Sequence, residues 1–345
     1  MNNTTVQSPA IHNALAIAKA QGVLFIREFL RQQKSQGVQV NLGPNKSASL
    51  ANLQTALLEG TIALTALEQW IHEVEGWGQQ HVYLFELPVE FMRQVNADPQ
   101  TALHQLVTDS PHQAVLQATD QFSFPEAMEL QQIKVQQGSL EVIWRQQASN
   151  TLRVRAQDLP LQEIDGDWYE FRAFRITPSR QVMRFLLTPD TGTAALYIQL
   201  PLGKAHRLAH SAAVACVQAI LQLPDLPVKD LAAPIKALDR LDLAAGSNPL
   251  NLHAHSTKFS TNGGTIEFTA NQHISGFKQI ESMRLVRRSL NEADFTGDTG
   301  HFNIHLDQSG RTIQMSVSAR HHKCYFKAQM SGFEMRRIIT YLSQL

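Results

Sequence analysis

The stretch HFNIHLDQSGRTIQMSVSARHHKCYFKAQMSGFEMRRIITYLSQL, residues 301–345, decides the fold, because three period-two runs are followed there by one helical run. Phe302, Ile304 and Leu306 alternate with His301, Asn303, His305 and Asp307. Ile313, Met315 and Val317 alternate with Thr312, Gln314, Ser316 and Ser318. Cys324, Phe326, Ala328 and Met330 alternate with Lys323, Tyr325, Lys327 and Gln329. Successive side chains of a strand point to opposite faces, so this alternation predicts half-buried antiparallel strands. Asp307-Gln308-Ser309-Gly310 has the chemistry of a turn. Ser331 and Glu334 have the spacing of a capping box, and Met335, Ile338, Ile339 and Leu342 follow at helical spacing. The expected product is a three-stranded meander with a helix on its apolar face.

The same architecture is expected upstream, without residue-level identity. Strands are expected over Leu140–Trp144, Thr151–Ala156, Trp168–Ile176 and Gln181–Leu187. The turn Pro189-Asp190-Thr191-Gly192 leads to a strand with Ala194, Leu196, Ile198 and Leu200 on one face, then a helix over Lys204–Leu223. The proline-rich Pro224–Asn251 separates the two blocks. Asn262-Gly263, set between two runs of strand formers, predicts a hairpin, and Phe277–Leu290 a helix. His81–Leu87 is an expected strand. Near the amino end, Ile11–Phe29 and Leu50–Val74 each carry apolar residues three and four apart, which predicts two long helices paired as a hairpin. Gly22 and Gly60 sit near the middle of these runs and are expected where the helix backbones cross.

The fold class is therefore α+β. A helical hairpin is expected over 1–78, an α+β domain over 79–223, a linker with a short helix over 224–251, and a carboxyl-terminal α+β domain over 252–345. Each of the two domains would be an antiparallel sheet packed by a helix.

Composition narrows function mainly by exclusion. The 345 residues hold 30 Lys+Arg and 30 Asp+Glu, so attraction to nucleic acid or an anionic membrane requires a local patch. The 34 glutamines are scattered and not in tracts, so they solvate the surface without charge. Cys216 and Cys324 both fall on apolar faces and read as buried thiols in a reducing, cytoplasmic compartment. No apolar run approaches the roughly 18 residues of a membrane span.

Motifs for chemistry are absent: there is no phosphate-binding glycine loop, G-x-S-x-G, H-E-x-x-H or C-x-x-C. His301 and His305 share a strand face with Asp307, but i to i+4 along a strand is about 13 Å, too far for one metal ion. His253 and His255 have metal-compatible i, i+2 spacing without an evident third ligand. Asp165/Asp167 and Asp294/Asp298 lie in glycine-containing loops and read as turn residues. No catalytic residue, metal or cofactor is assigned.

The remaining signal is basic. Residues 271–345 hold ten Lys/Arg against six Asp/Glu. Arg284, Arg287 and Arg288 recur at i, i+3, i+4 on one helical face. Lys323, Tyr325 and Lys327 project from the polar face of the meander, reached from Arg320-His321-His322. Lysines flanking an aromatic on a sheet face suit phosphates plus a stacked base. The leading expectation is a non-catalytic protein contacting nucleic acid through Arg284, Arg287, Arg288, Arg320, Lys323, Tyr325 and Lys327. One alternative is an assembly adaptor, docking or self-associating through the amino-terminal helices or an open sheet face. The other is an enzyme with a dispersed active site.

Overall fold

The computed structural model describes residues 9–119, 122–199, 204–244, 248–261, 263–270, 281–292, 295–306 and 310–345. Asp307, expected beside His301 and His305 on one strand face, most of its turn, Asn262, Asp294 and the start of the helix expected from Phe277 lie outside these residues. The architecture is α+β, with amino-terminal helices preceding antiparallel sheets.

The chain divides into two compact units, of which the first comprises the described parts of Met1–Glu75, Thr119–Glu129 and Arg145–Gln181. It opens with helices α1 (Pro9–Ala20), α2 (Val23–Ser35), α3 (Lys46–Leu58) and α4 (Leu64–Val74). Ile17, Ile26, Phe29, Leu30, Leu53, Leu67 and Ile71 form their shared core, joined by Phe122. The Phe29 and Trp70 rings stack at 5.1 Å.

Each long helical run is divided once, at its glycine. Gly22 takes an extended conformation and serves as N-cap of α2, while the Gln21 side chain donates to the Ile17 carbonyl and closes α1. Gly60 ends α3 with φ +71°; its N–H donates to Leu57 O and the Thr61 N–H to Ala56 O. That pair of bonds is the Schellman cap, which favours glycine because other residues resist the left-handed conformation. Nothing lies within 4 Å of where a Gly60 side chain would begin, so Gly60 is a helix stop and not a point of close helix crossing.

The second unit comprises Gly76–Ala118, Leu130–Trp144 and the described parts of Val182–Leu345. In chain order the strands are β1 (Gly78–Leu84), β2 (Glu129–Gln136), β3 (Ser139–Arg153), which passes into the first unit at Arg145, then the first unit's separate hairpin β4 (Leu159–Ile164) and β5 (Asp167–Phe171), β6 (Phe174–Thr188), which enters the second unit at Val182, and β7 (Thr193–Gln199). They continue with β8 (Leu252–Thr261), β9 (Gly264–Thr269), β10 (Thr296–Leu306), β11 (Arg311–Ser318) and β12 (Lys323–Gln329). Ten strands form one sheet in the order β2-β3-β6-β7-β1-β12-β11-β10-β8-β9. The two expected sheets are thus two halves joined by β1, whose Val82 pairs with Tyr197 of β7 and Cys324 of β12. Gly78 begins this seam strand at a bulge, where a Cβ would overlap the Ala328 carbonyl oxygen.

Helices α5 (Val89–Ala97), α6 (Pro99–Thr108), α7 (Lys204–Leu221), α8 (Ala232–Leu243), α9 (Glu281–Glu292) and α10 (Gly332–Gln344) complete the unit. The expected alternation holds: Phe302 pairs with Met315 and Ile304 with Ile313 across β10 and β11, and all four are buried. Leu231, Leu238, Ile338, Ile339 and Leu342 bring α8 and α10 into the same apolar core. The capping box forms, with Ser331 Oγ accepting from the Glu334 N–H and the Glu334 carboxylate accepting from the Ser331 N–H. The segment expected as a linker carries its helix α8, and its described residues up to that helix are bound to the rest of the unit. Glu86 N–H donates to Pro227 O, Lys229 N–H to Leu84 O, and Leu231, Ile235 and Leu238 are fully buried.

Candidate functional site

Because β10, β11 and β12 turn one face to α8 and α10, their other face collects the polar half of the alternating pattern. Its residues are half-exposed or exposed, among them Asn303, His305, Thr312, Gln314 and Ser316. Strand register sets two rows across it. His301, Ser316, Tyr325 and His81 are successive partners in one row; Lys258, Thr299, Ser318 and Lys323 are successive partners in the next. Between these rows lies a concavity of about 320 Å³ lined by Lys258, His301, Arg320, His321, Lys323 and Tyr325. Lys327 stands further along β12, exposed, and donates to Gln314 Oε1.

The Tyr325 ring is half-buried, tilted at 33° against His81 with centroids 4.9 Å apart. His81 is nearly covered, and its ring meets His206 of α7 edge-on at 5.0 Å. On α7, His210 in turn lies 4.4 Å from the Tyr83 ring. An ordered imidazole and phenol layer therefore backs Tyr325.

Burial, with Lys323 and His206 close by, holds His81 down at about 4. His206 is lowered by burial, then Lys323 and His210; His301 is lowered by burial, then Lys327 and His255. These imidazoles are neutral at pH 7 and add no charge to the face. His301 Nδ1 is 2.7 Å from Ser316 Oγ. The charge comes from Lys258, Arg320, Lys323 and Lys327, offset by Glu267 and by Asp298, which pairs with Lys258 at 3.2 Å. Burial lowers the Lys323 ammonium, so an anion docking beside it restores favourable charge. A larger concavity of about 460 Å³, between α5, α6 and the end of α7, contains no Lys, Arg or His in its lining and has no such character.

Four of the seven residues expected to contact nucleic acid, Arg320, Lys323, Tyr325 and Lys327, lie together on this face. The three arginines of α9 do not join them. That helix packs on α8, which covers the apolar face, so the sheet stands between Arg284 or Arg288 and Tyr325. Arg287 is no surface residue at all: it is fully buried, its Nε donating to Asp239 Oδ1 at 3.1 Å and its Nη1 to Asp242 Oδ2 at 3.2 Å. The i, i+3, i+4 spacing correctly puts three arginines on one helical face, but it cannot say that the neighbouring helix presents two carboxylates to the middle one. His253, half-exposed, reaches to 3.6 Å from Asp242.

Other expected candidates have structural duties. Asp165 and Gly166 form the β4–β5 turn with φ +53° and +86°. Burial raises Cys216 to about 11 and Cys324 to about 12, so neither thiol is an activated nucleophile. Among the described residues no helix is long and apolar enough to cross a membrane.

Sequence reading missed one feature in the first unit, the β4–β5 hairpin. Leu159, Leu161, Ile164, Trp168, Tyr169 and Phe171 are all exposed on its two faces, Trp168 to 68% and Leu161 to 61%. Asp-Gly between apolar runs announced a hairpin; nothing local announced that it would stay uncovered.

No protein-family model matches the chain, and no curated protein resembles it significantly in sequence.

Proposed function

We propose that the chain is a non-catalytic binding protein that takes single-stranded nucleic acid on the open polar face of β10–β12. The observation that carries this reading is the arrangement of Lys323, Tyr325 and Lys327 beside Arg320 and Lys258 on one exposed sheet face. Lysines and arginine meet backbone phosphates, while Tyr325, steadied from behind by His81, offers a ring on which an unpaired base stacks. A duplex keeps its base faces stacked internally, so it gains only the phosphate contacts. Two free, unactivated thiols accord with a reducing, cytoplasmic setting. Fluorescence anisotropy with labelled single-stranded and duplex oligonucleotides tests the proposal. Tyr325→Ala should weaken single-strand binding several-fold and leave duplex binding nearly unchanged, since stacking contributes about 1–3 kcal/mol per base. Equal effects on both would remove the stacking role.

A second reading, an assembly adaptor, is favoured by the uncovered β4–β5 hairpin alone.

A further inference from the structure

An isolated two-stranded hairpin is marginal in water, so one that holds six large apolar side chains in solvent needs an anchor and a reason. The anchor is visible. Asp158 at the hairpin base accepts from Arg153 Nη2 at 2.7 Å and from the Ala173 N–H at 2.8 Å. Those bonds, the backbone hydrogen bond first and Arg153 after it, hold the Asp158 carboxyl below the usual carboxylate range. Val154 N–H donates to Ala173 O at 3.0 Å, and the Arg153 guanidinium lies 5.2 Å from the Phe174 ring centre. The strands are thus fixed at their root and project a stable apolar surface.

Charge selects what covers it. Residues 156–171 contain Asp158, Glu163, Asp165, Asp167 and Glu170 and no Lys or Arg. Asp158 is matched by Arg153 and Glu170 by Arg172, which leaves Glu163, Asp165 and Asp167 to set the charge at the tip. An anionic lipid surface or a nucleic acid is repelled there, and two such tips repel each other. The complementary surface is basic and has an aromatic floor. The chain itself carries one: the face with Arg320, Lys323 and Lys327 around Tyr325, indented by about 320 Å³.

We propose that the β4–β5 hairpin of one copy docks tip-first on the β10–β12 face of a second copy, with Trp168, on the same hairpin face as Glu163, against Tyr325 and with Glu163 and the tip residue Asp167 facing Arg320, Lys323 and Lys327. The contact is heterologous, because a different surface is used on each partner, so it either closes into a ring or pair or continues head to tail. It shares a face with the nucleic-acid site without resting on that reading. If both hold, the acidic hairpin and nucleic acid compete for the same lysines.

The test is sedimentation equilibrium of the full chain without nucleic acid, at low and high salt. The weight-average mass should rise with concentration at low salt and fall back when salt is added. Glu163→Lys with Asp167→Lys, both exposed and away from the strained turn position Asp165, should weaken association about tenfold or more. Lys323→Glu with Lys327→Glu should do the same, with circular dichroism verifying that each variant folds. Mixing the two variants should restore association, because each then supplies the surface that the other has reversed. Trp168→Ala should weaken association in the parent background. A parent that stays monomeric overturns the proposal. So does association that survives both reversals, which would assign it to another surface such as the amino-terminal helices, and so does a mixture that fails to reassociate. None of these outcomes bears on nucleic-acid binding, which the anisotropy titration decides separately.

Discussion

The β10–β12 meander and the β4–β5 hairpin are built from the same local material and end in opposite circumstances. In the meander, apolar residues keep to one face, and α8 and α10 bury Phe302, Ile304, Met315 and Phe326 completely. In the hairpin, register puts Gln162 with Tyr169 and Ile164 with Asp167 on one face, and Glu163 with Trp168 on the other. Both faces are part apolar and part acidic, so no single helix could cover them, and every residue of both strands is exposed. Alternation makes a strand; segregation of the alternating residues to one face makes a core. Where that segregation fails, no core forms and both faces stay exposed.

The comparison can be broken most severely at Phe302. Phe302→Ala, in the filled core, should cost about 3–5 kcal/mol in urea denaturation. A loss under about 1 kcal/mol would mean that the meander is no better packed than the hairpin. Arg287→Gln should cost about 3–5 kcal/mol, because it strands Asp239 and Asp242 in a buried site. The same change at the exposed Arg288 should fall within about 0.5 kcal/mol, and similar effects at both positions would refute the buried pair.

Stability should also depend on pH through His81. Its imidazole titrates at about 4 in the fold against 6.5 for the ordinary group, so between those values the unfolded chain binds more protons than the native one. Stability is therefore full above pH 6.5, falls as pH drops from 6.5 toward 4, and loses nothing further from this group below that. His206, His210 and His301 are lowered by burial and act with the same sign. The urea midpoint should be lower at about pH 5 than at about pH 7, and His81→Gln should reduce the difference; an unchanged difference would count against a neutral buried His81.

Ser331→Ala removes half of the capping box of α10 and should cost about 1 kcal/mol. Trp168→Ala, in the uncovered hairpin, should change monomer stability by no more than about 0.5 kcal/mol. A loss there as large as at Phe302 would show that the hairpin is covered within the folded chain.

The meander and its capping box were legible because their signals are local: period two, then Ser331 three residues before Glu334. The division at Gly60 was half legible. Glycine in an apolar helical run marks a special site, but stopping a helix and lining a crossing leave the same trace in sequence. The seam was not legible. Nothing in residues 78–84 indicates that Val82 will pair with both Tyr197 and Cys324 and so join two expected sheets into one. At the candidate site, Lys323, Tyr325, Lys327 and Arg320 were found by alternation. Lys258 and His81 came from distant strands, and the burial of Arg287 depended on the carboxylates of α8, which no pattern in α9 records.

The most direct test of the central claim is an anisotropy titration of a labelled single-stranded oligonucleotide against the full chain at several salt concentrations, with Lys323→Gln/Lys327→Gln alongside. The account predicts binding at low salt that weakens linearly in log–log form, with the slope flattened in the variant by about 0.7 for each phosphate that a lysine no longer neutralises. Absence of binding at low salt, or binding whose salt dependence the two lysines do not alter, would contradict it.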